Sequence, residues 1–355
     1  MHQRIHIART PDDVCLAWTR SGPADGRAGP TLVKASNWLT HVRRDPDSPV
    51  WRHWLAFLGG YYDYVRFDER GCGQSDREVA DVSDRHWLSD LETVVDAAGL
   101  DRPFVLLGMS QGSAACVRYC LAHPERVSKL VLYGGYARGA AVRGGTNQEH
   151  YRAVMEMVRL GWGRDNPVFR QAFTARFVPQ GTHEQLDWFN ELCRETVTPD
   201  MALRLLEARG STDITALLPQ VRVPTLVLHA RHDEVVPFSE GRALASAIPG
   251  AEFVELDSHN HVLLAHEPAW QAFQDALLEF TGVASGATAP EAGLTPRERE
   301  ILALLDEGLA NADIGRRAFL SEKTVRNHLS SIYRKLGVAN RAQAIVRHRA
   351  GPRTA

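Results

Sequence analysis

The sequence predicts an α/β body built on a doubly wound, mostly parallel sheet, followed by a small all-α unit. Three observations lead there. Short, nearly continuous apolar runs alternate with helical stretches through residues 1–282, as buried parallel strands require. Residues 282–293, GVASGATAPEAG, are small and almost uncharged, which is a linker composition. Beyond them the charge changes sign: residues 291–355 hold 12 Lys/Arg and 7 Asp/Glu, a net +5, against −7 for the remainder. The expected organisation is a body at 1–282, a linker at 283–292 and a basic unit at 293–355.

A length of 355 residues suits two domains, and a hydrophobic share of 44% is ordinary for a globular chain. No apolar run approaches the roughly 20 residues that span a bilayer. The first residues, MHQRIHIARTPDD, lack the apolar core of a signal peptide. A cytoplasmic protein with no membrane partner is expected. Cys15, Cys72, Cys116, Cys120 and Cys193 form no C-x-x-C pair. Cys116 and Cys120 read as small apolar residues of a buried helix, so disulfides, zinc and other metals are not expected. Nothing in the sequence calls for a cofactor.

The elements follow in order. Residues 4–8 (RIHIA) and 14–19 (VCLAWT) read as paired edge strands. Strands follow at 31–35 (TLVKA), 62–68 (YDYVRFD), 104–108 (FVLLG), 129–134 (KLVLYG), 225–230 (TLVLHA) and 252–257 (EFVELD), most of them apolar enough to be buried. Helices are expected near 50–58, 84–98, 111–122, 239–247 and 267–280, an alternation that argues a doubly wound sheet. From about 138 to 215 the alternation stops. Several helical segments there carry Trp162, Phe169, Phe173, Phe177, Trp188 and Phe189. An aromatic helical insertion after a central strand reads as a lid.

The chemistry begins at Gly108-Met109-Ser110-Gln111-Gly112, between the strand FVLLG and a helix. A chain turning sharply from strand to helix holds its apical serine in a strained conformation, so small flanking residues are needed. An acid and then a histidine should follow. Asp233 lies just after TLVLHA, at a strand's carboxyl end, where α/β sheets carry their sites. His261 follows EFVELD, 28 residues after the acid. His261 is preferred to His259 because it abuts the apolar Val262-Leu263-Leu264, and Asp233 to Glu234, which is expected to face solvent. In such a trio Ser110 attacks, His261 takes its proton, and Asp233 orients the imidazole and stabilises its cation.

On these residues, and on Phe67-Asp68-Glu69-Arg70-Gly71-Cys72-Gly73-Gln74-Ser75 and Pro224-Thr225-Leu226-Val227-Leu228-His229, residues 1–282 resemble the α/β-hydrolase family. The resemblance implies an oxyanion hole made by the Gln111 N–H and a donor from the loop after the third strand. That family usually has His-Gly there, whereas this chain has Ala35-Ser36-Asn37-Trp38, so Asn37 or Trp38 must supply the second donor. Two readings of Ser110 stay open. It hydrolyses an ester, lactone or related carbonyl compound through an acyl-enzyme, or the trio is kept in a pocket that mainly binds its ligand.

The C-terminal unit has its own logic. Thr295-Pro296-Arg297-Glu298 is a capping box with proline at the first helical position. Ile301, Leu302, Leu304 and Leu305 give the helix an apolar stripe, and Gly308 stops it. Asn311 is expected to cap a second helix, 312–319, and Ser321 a third. In the third, Val325, Leu329, Ile332 and Leu336 form one buried face, leaving Lys323, Arg326, Asn327, Ser330 and Arg334 on the other. Cations, an amide and hydroxyls on a free face suit phosphates and base edges. A last helix, 341–349, follows Asn340.

Residues 294–350 thereby resemble the LuxR-type (GerE-like) helix-turn-helix family. The resemblance implies that Arg326, Asn327 and Ser330 enter the major groove of double-stranded DNA, with Lys323 and Thr324 beside phosphates. It also implies that the final helix pairs two protomers, although Arg347 and Arg349 fit backbone phosphates equally well. The whole reads as a DNA-binding regulator that responds to a small ligand held in a hydrolase-like sensor and acts as a homodimer. The alternative is an esterase or lactonase with an accessory DNA-binding module.

Overall fold

The chain, in a computed structural model that describes residues 3–23, 29–283 and 294–349 except Phe319, Gly337 and Ala339, divides into two compact units, Met1–Val283 and Ala284–Ala355. The expected linker lies, Val283 apart, outside the described residues. The first unit runs β1 (Ile5–Arg9), β2 (Cys15–Ser21), β3 (Thr31–Lys34), α1 (Arg52–Tyr61), β4 (Asp63–Phe67), α2 (Asp84–Ala97), β5 (Phe104–Met109), α3 (Gly112–Ala122) and β6 (Val127–Tyr133). Four helices follow: α4 (Thr146–Gly161), α5 (Val168–Thr174), α6 (His183–Thr196) and α7 (Pro199–Gly210). It closes with β7 (Thr225–Ala230), α8 (Phe238–Ala247), β8 (Glu252–Leu256) and α9 (Pro268–Thr281).

The strands form one sheet in the order β1-β2-β4-β3-β5-β6-β7-β8. β1 and β2 are antiparallel, as are β2 and β4, and every other pairing is parallel. One expectation is corrected. β2 is not an edge strand, because β4 pairs along its second side. That partner lies far along the chain, and a hairpin signal does not reveal it. β5 and β7 are buried over their whole length, which is why they read as unbroken apolar runs. The chain passes from β3 out to β4 and returns to β5 on the other side of β3. This reversal opens a crevice beyond the carboxyl ends of β3 and β5.

Helices α1 and α9 pack through aromatic rings. Trp54 meets Trp270 and Phe273 at 4.6 and 4.7 Å between centroids, and Tyr133 of β6 at 5.3 Å. Its indole N–H donates to the Leu263 carbonyl at 3.1 Å, so the buried polar atom is satisfied. Between β6 and β7, a bridge from Arg138 to Asp213 closes the base of the helical insertion. Thr182 and Thr198 cap α6 and α7, and Pro199 opens α7.

The second unit is helical: α10 (Pro296–Asp306), α11 (Asn311–Arg317), α12 (Glu322–Leu336) and α13 (Arg341–Arg349). Leu302, Leu305, Ile314, Val325, Leu329 and Ile332 form its core. Ser321 caps α12, its hydroxyl accepting the Thr324 N–H at 3.1 Å. Asn311 does not cap α11. It is the helix's first residue, Ala310 stands at the cap, and no side chain accepts there. A side-chain preference for caps is weak against the loop that delivers the chain. Among the described residues no helix is long and apolar enough to cross a membrane.

Candidate active site and nucleic-acid interface

Ser110 sits at the crevice, between β5 and α3. It is one of three described non-glycine residues with a positive φ, at +51°. Such backbone costs roughly 1–2 kcal/mol and persists only where its surroundings enforce it. Here the Ser110 N–H donates to the Tyr133 carbonyl at 2.9 Å. The flanking glycines are required by close approach. A Cβ on Gly108 would lie 2.8 Å from the Ser113 Cα, and one on Gly112 would lie 2.9 Å from the Ser36 carbonyl oxygen. Any larger residue would force the elbow apart.

The loops after β7 and β8 bring Asp233 and His261 together. His261 Nδ1 lies 2.6 Å from Asp233 Oδ2, with both side chains almost fully buried. The other carboxylate oxygen accepts the N–H groups of Val235 and Val236 at 2.8 and 2.9 Å. Burial by itself would raise the Asp233 pKa, but His261 through its charge and hydrogen bond, with the nearby His229 and the Val236 N–H, holds it below the ordinary value. An ionised Asp233 fixes the proton on Nδ1 and leaves Nε2 as an acceptor. The His261 carbonyl accepts from the Tyr133 hydroxyl at 2.8 Å, and Phe177 stands edge-on to its ring at 5.5 Å. His259 is exposed and stacks on His232 instead. Glu234 is exposed and reaches the rim of the cavity described next.

Ser110 and His261 line one cavity of about 170 Å³. No hydrogen bond joins them among the described residues, and such contacts are often loose until substrate binds. Gln111, Asn37 and Trp38 line the same cavity. Among the described residues none of their backbone N–H groups donates to another group. Phe173, Phe177 and Phe189 of the insertion form its apolar wall. Trp162 does not reach it. That ring stacks on Trp38 at 5.2 Å and belongs to the core.

The loop that lacks His-Gly is held by buried charges, of which sequence reasoning quoted Asp68 within a motif and did not single out Lys34. Lys34 donates to the Asn37 side chain. Burial and the neighbouring Arg66 push the Lys34 pKa down to about 8, with Asp45 opposing. Asp68 accepts the N–H groups of Val42 at 2.8 Å and Gln74 at 2.9 Å, and burial pushes its pKa up to about 7. Thr40 donates to the Asn37 carbonyl at 2.8 Å. The one signal in the sequence was a lysine ending an apolar strand. The stretch 67–75 proves to be scaffolding: buried Arg70 pairs with Asp90 at 2.6 Å and with Asp12 at 2.8 Å. Among the described residues no cluster of His, Cys, Asp and Glu is arranged to hold a metal.

In the second unit, Lys323, Arg326, Asn327 and Ser330 are exposed on α12 and Thr324 is half-buried, while Val325, Leu329 and Ile332 face inward. The Arg334 side chain lies outside the described residues, as do those of Arg347 and Arg349. Arg326 sits 3.6 Å from Glu322, an exposed pair that a phosphate or base can displace at little cost. Glu298 does more than complete its capping box. It also accepts from Ser331 at 2.8 Å and Lys335 at 2.7 Å, tying α10 to α12. Its pKa falls to about 2: burial opposes the fall, but Lys335 and the Thr295 N–H prevail.

A mostly parallel eight-stranded sheet with a serine at its elbow, joined to a four-helix unit, defines an α/β-hydrolase fold followed by a helix-turn-helix module. The chain belongs to the family described as serine aminopeptidase, S33, whose model matches residues 55–269, and its end matches the bacterial regulatory proteins of the luxR family over residues 292–348. It is 27% identical over 243 residues to the pyrrolizixenacetamide deacetylase of Xenorhabdus hominickii, covering 68% of this chain and 86% of the relative. The esterase RhEst1 from a Rhodococcus species matches with a TM-score of 0.65 and 22% identity, over 79% of this chain and 99% of that one. The enol-lactonase from Burkholderia xenovorans matches at 0.63 and 21%, over 78% and 100%. These two likenesses show the fold.

Proposed function

We propose that the chain is a DNA-binding transcriptional regulator whose sensor is its hydrolase-fold unit, and that this unit binds and hydrolyses a small ester, amide or lactone. One observation carries the reading: a single chain joins a cavity lined by Ser110 and His261, with Asp233 behind the imidazole, to a luxR-family module. Ser110 Oγ attacks the carbonyl carbon while His261 Nε2 takes its proton. The Gln111 N–H and an N–H of Asn37 or Trp38 stabilise the oxyanion. The leaving alcohol or amine takes the proton from His261, and water then releases the acid and restores the serine. The deacetylase relative supports chemistry at an acyl carbon.

Ligand acts on DNA binding only if it prefers one arrangement of the regulator by a real free-energy difference. The helices α4 to α7 are the element whose closure we assign to that preference. In the second unit, Arg326, Asn327 and Ser330 read base edges, and Lys323 and Thr324 hold phosphates. Pairing of two protomers through α13 matches a two-fold operator.

A fluorophosphonate probe tests the chemistry. Labelling of the wild-type chain is expected and should vanish in Ser110→Ala. Absence of labelling between about pH 6 and 9 would return Ser110 to a binding role. Removal of residues 1–285 tests the sensor. If the isolated module regulates its promoter as the full chain does, the first unit senses nothing.

A further inference from the structure

The hydrolytic machinery leaves the charge of the cavity unexplained. Three arginines reach its wall: Arg143 before α4, Arg176 after α5, and Arg209 in α7. Arg209 is engaged. It pairs with buried Glu69, and its guanidinium lies 5.0 Å over the Trp38 ring. The other two are differently placed. The Arg143 side chain is 6% exposed, and its nearest carboxylate, Glu240, stands 3.9 Å from Nε. That carboxylate also lies 3.3 Å from Arg138, so it is shared. The Arg143 Nε donates to the Arg138 carbonyl at 2.7 Å, and its guanidinium lies 5.1 Å over the Tyr136 ring. Arg176 donates from Nη2 to the Glu234 backbone carbonyl at 2.9 Å and forms no ion pair among the described residues.

Two guanidinium groups thus border one cavity, and the carboxylate among its lining residues, Glu234, is exposed at the rim and forms an ion pair with neither among the described residues. Burial lowers both pKa values, Glu240 opposing it at Arg143 and Asp233 at Arg176, yet both groups stay charged. A poorly paired cation drawn out of water costs free energy, which an arriving anion recovers. The planar fork of arginine matches a carboxylate with two parallel N–H donors. Phe173 and Phe177 line the same cavity and suit a short carbon chain.

We propose that Arg143 and Arg176 form an anion-binding end of this cavity, and that its occupant is a carbonyl compound bearing a carboxylate, with the reacting carbonyl at Ser110 and the carboxylate at the two arginines. The proposal deepens the hydrolase reading and rests on it for the carbonyl's position. A neutral ester fills the cavity but leaves both cations unmatched, so discrimination rests on the ligand's charge as well as its shape.

The test compares two esters that differ in charge and by one methyl group, p-nitrophenyl hydrogen glutarate and its methyl ester, on the full-length chain. The charged ester is expected to have a kcat/KM at least about 10-fold higher. That ratio should fall toward one in Arg143→Gln and Arg176→Gln, and recover in part in the lysine variants. A second arm needs no turnover and no arginine variant. Calorimetry on Ser110→Ala should find monomethyl glutarate binding at least about 10-fold tighter than dimethyl glutarate. Equal handling of charged and neutral compounds overturns the proposal, as does failure to bind either, or a preference that survives loss of both arginines. Fluorophosphonate labelling separates the two failures. A labelled chain without charge preference keeps the hydrolase reading and loses this one. An unlabelled chain that prefers the monoester keeps the anion site and loses hydrolysis.

Discussion

Ser110, Asp233 and His261 come from three widely separated loops, whereas Lys323 to Ser330 occupy two turns of one helix. The first arrangement needs a whole sheet to assemble it, the second only a capped helix with one buried face. The charges differ in the same way. The His261–Asp233 pair is almost completely buried, at 5% and 1% side-chain exposure, while Arg326 and Glu322 are 61% and 51% exposed. A buried pair that loses one partner leaves a charge or dipole with no solvent to replace it. An exposed helical pair is worth only about 0.3–0.5 kcal/mol. The buried trio therefore depends on remote scaffolding, and the exposed face of α12 stays free to exchange its contacts.

The sharpest way to break this comparison is Asp233→Asn. With the acid replaced, the imidazole loses its preferred tautomer, and ester hydrolysis should fall on the order of 10³–10⁴-fold. Operator affinity without ligand should not change. A kcat/KM measurement beside a gel-shift titration checks both, and a fall of less than about 10-fold would remove Asp233 from the mechanism.

Arg326→Ala should act in the opposite compartment. Operator binding is expected to weaken by about 1–3 kcal/mol with relaxed sequence preference, and esterase activity should persist. Lys323→Ala should instead weaken all DNA sequences alike and reduce the salt slope by about one. Equal effects of both variants on specific and nonspecific DNA would remove the distinction between base and phosphate contacts.

The smallest effect sharpens the comparison within the second unit. Glu298 has a folded pKa near 2 against an ordinary 4.5, so the protonated form is disfavoured by folding. Its contribution is fully present above about pH 4.5 and is lost as pH falls toward 2. Glu298→Gln should destabilise residues 294–349 by about 1–2 kcal/mol at neutral pH and flatten that acid slope. Hydrogen exchange along those residues reads the effect, and an unchanged slope would free Glu298 of its role in joining α10 to α12.

What could be read beforehand follows the range of the interactions involved. The central strands β5 and β7 were legible because a strand buried on both faces must be apolar, and the Thr295–Glu298 capping box because it spans only four residues. The order of Ser110, Asp233 and His261 along the chain was likewise visible, since each follows a recognisable strand. β2 was misplaced because its second partner, β4, lies beyond any local pattern. Lys34 went unnoticed because its burial beside Arg66, Asp45 and Asp68 comes from other segments, and Arg143 and Arg176 because the sharing of Glu240 with Arg138 and the want of an ion pair at Arg176 are properties of the folded cavity wall. Periodicity, caps and strand-end positions are set by neighbours along the chain and so belong to the sequence alone. Burial, hydrogen-bond partners across the fold and unmatched charge arise only when distant segments exclude water together, and tertiary structure alone decided them.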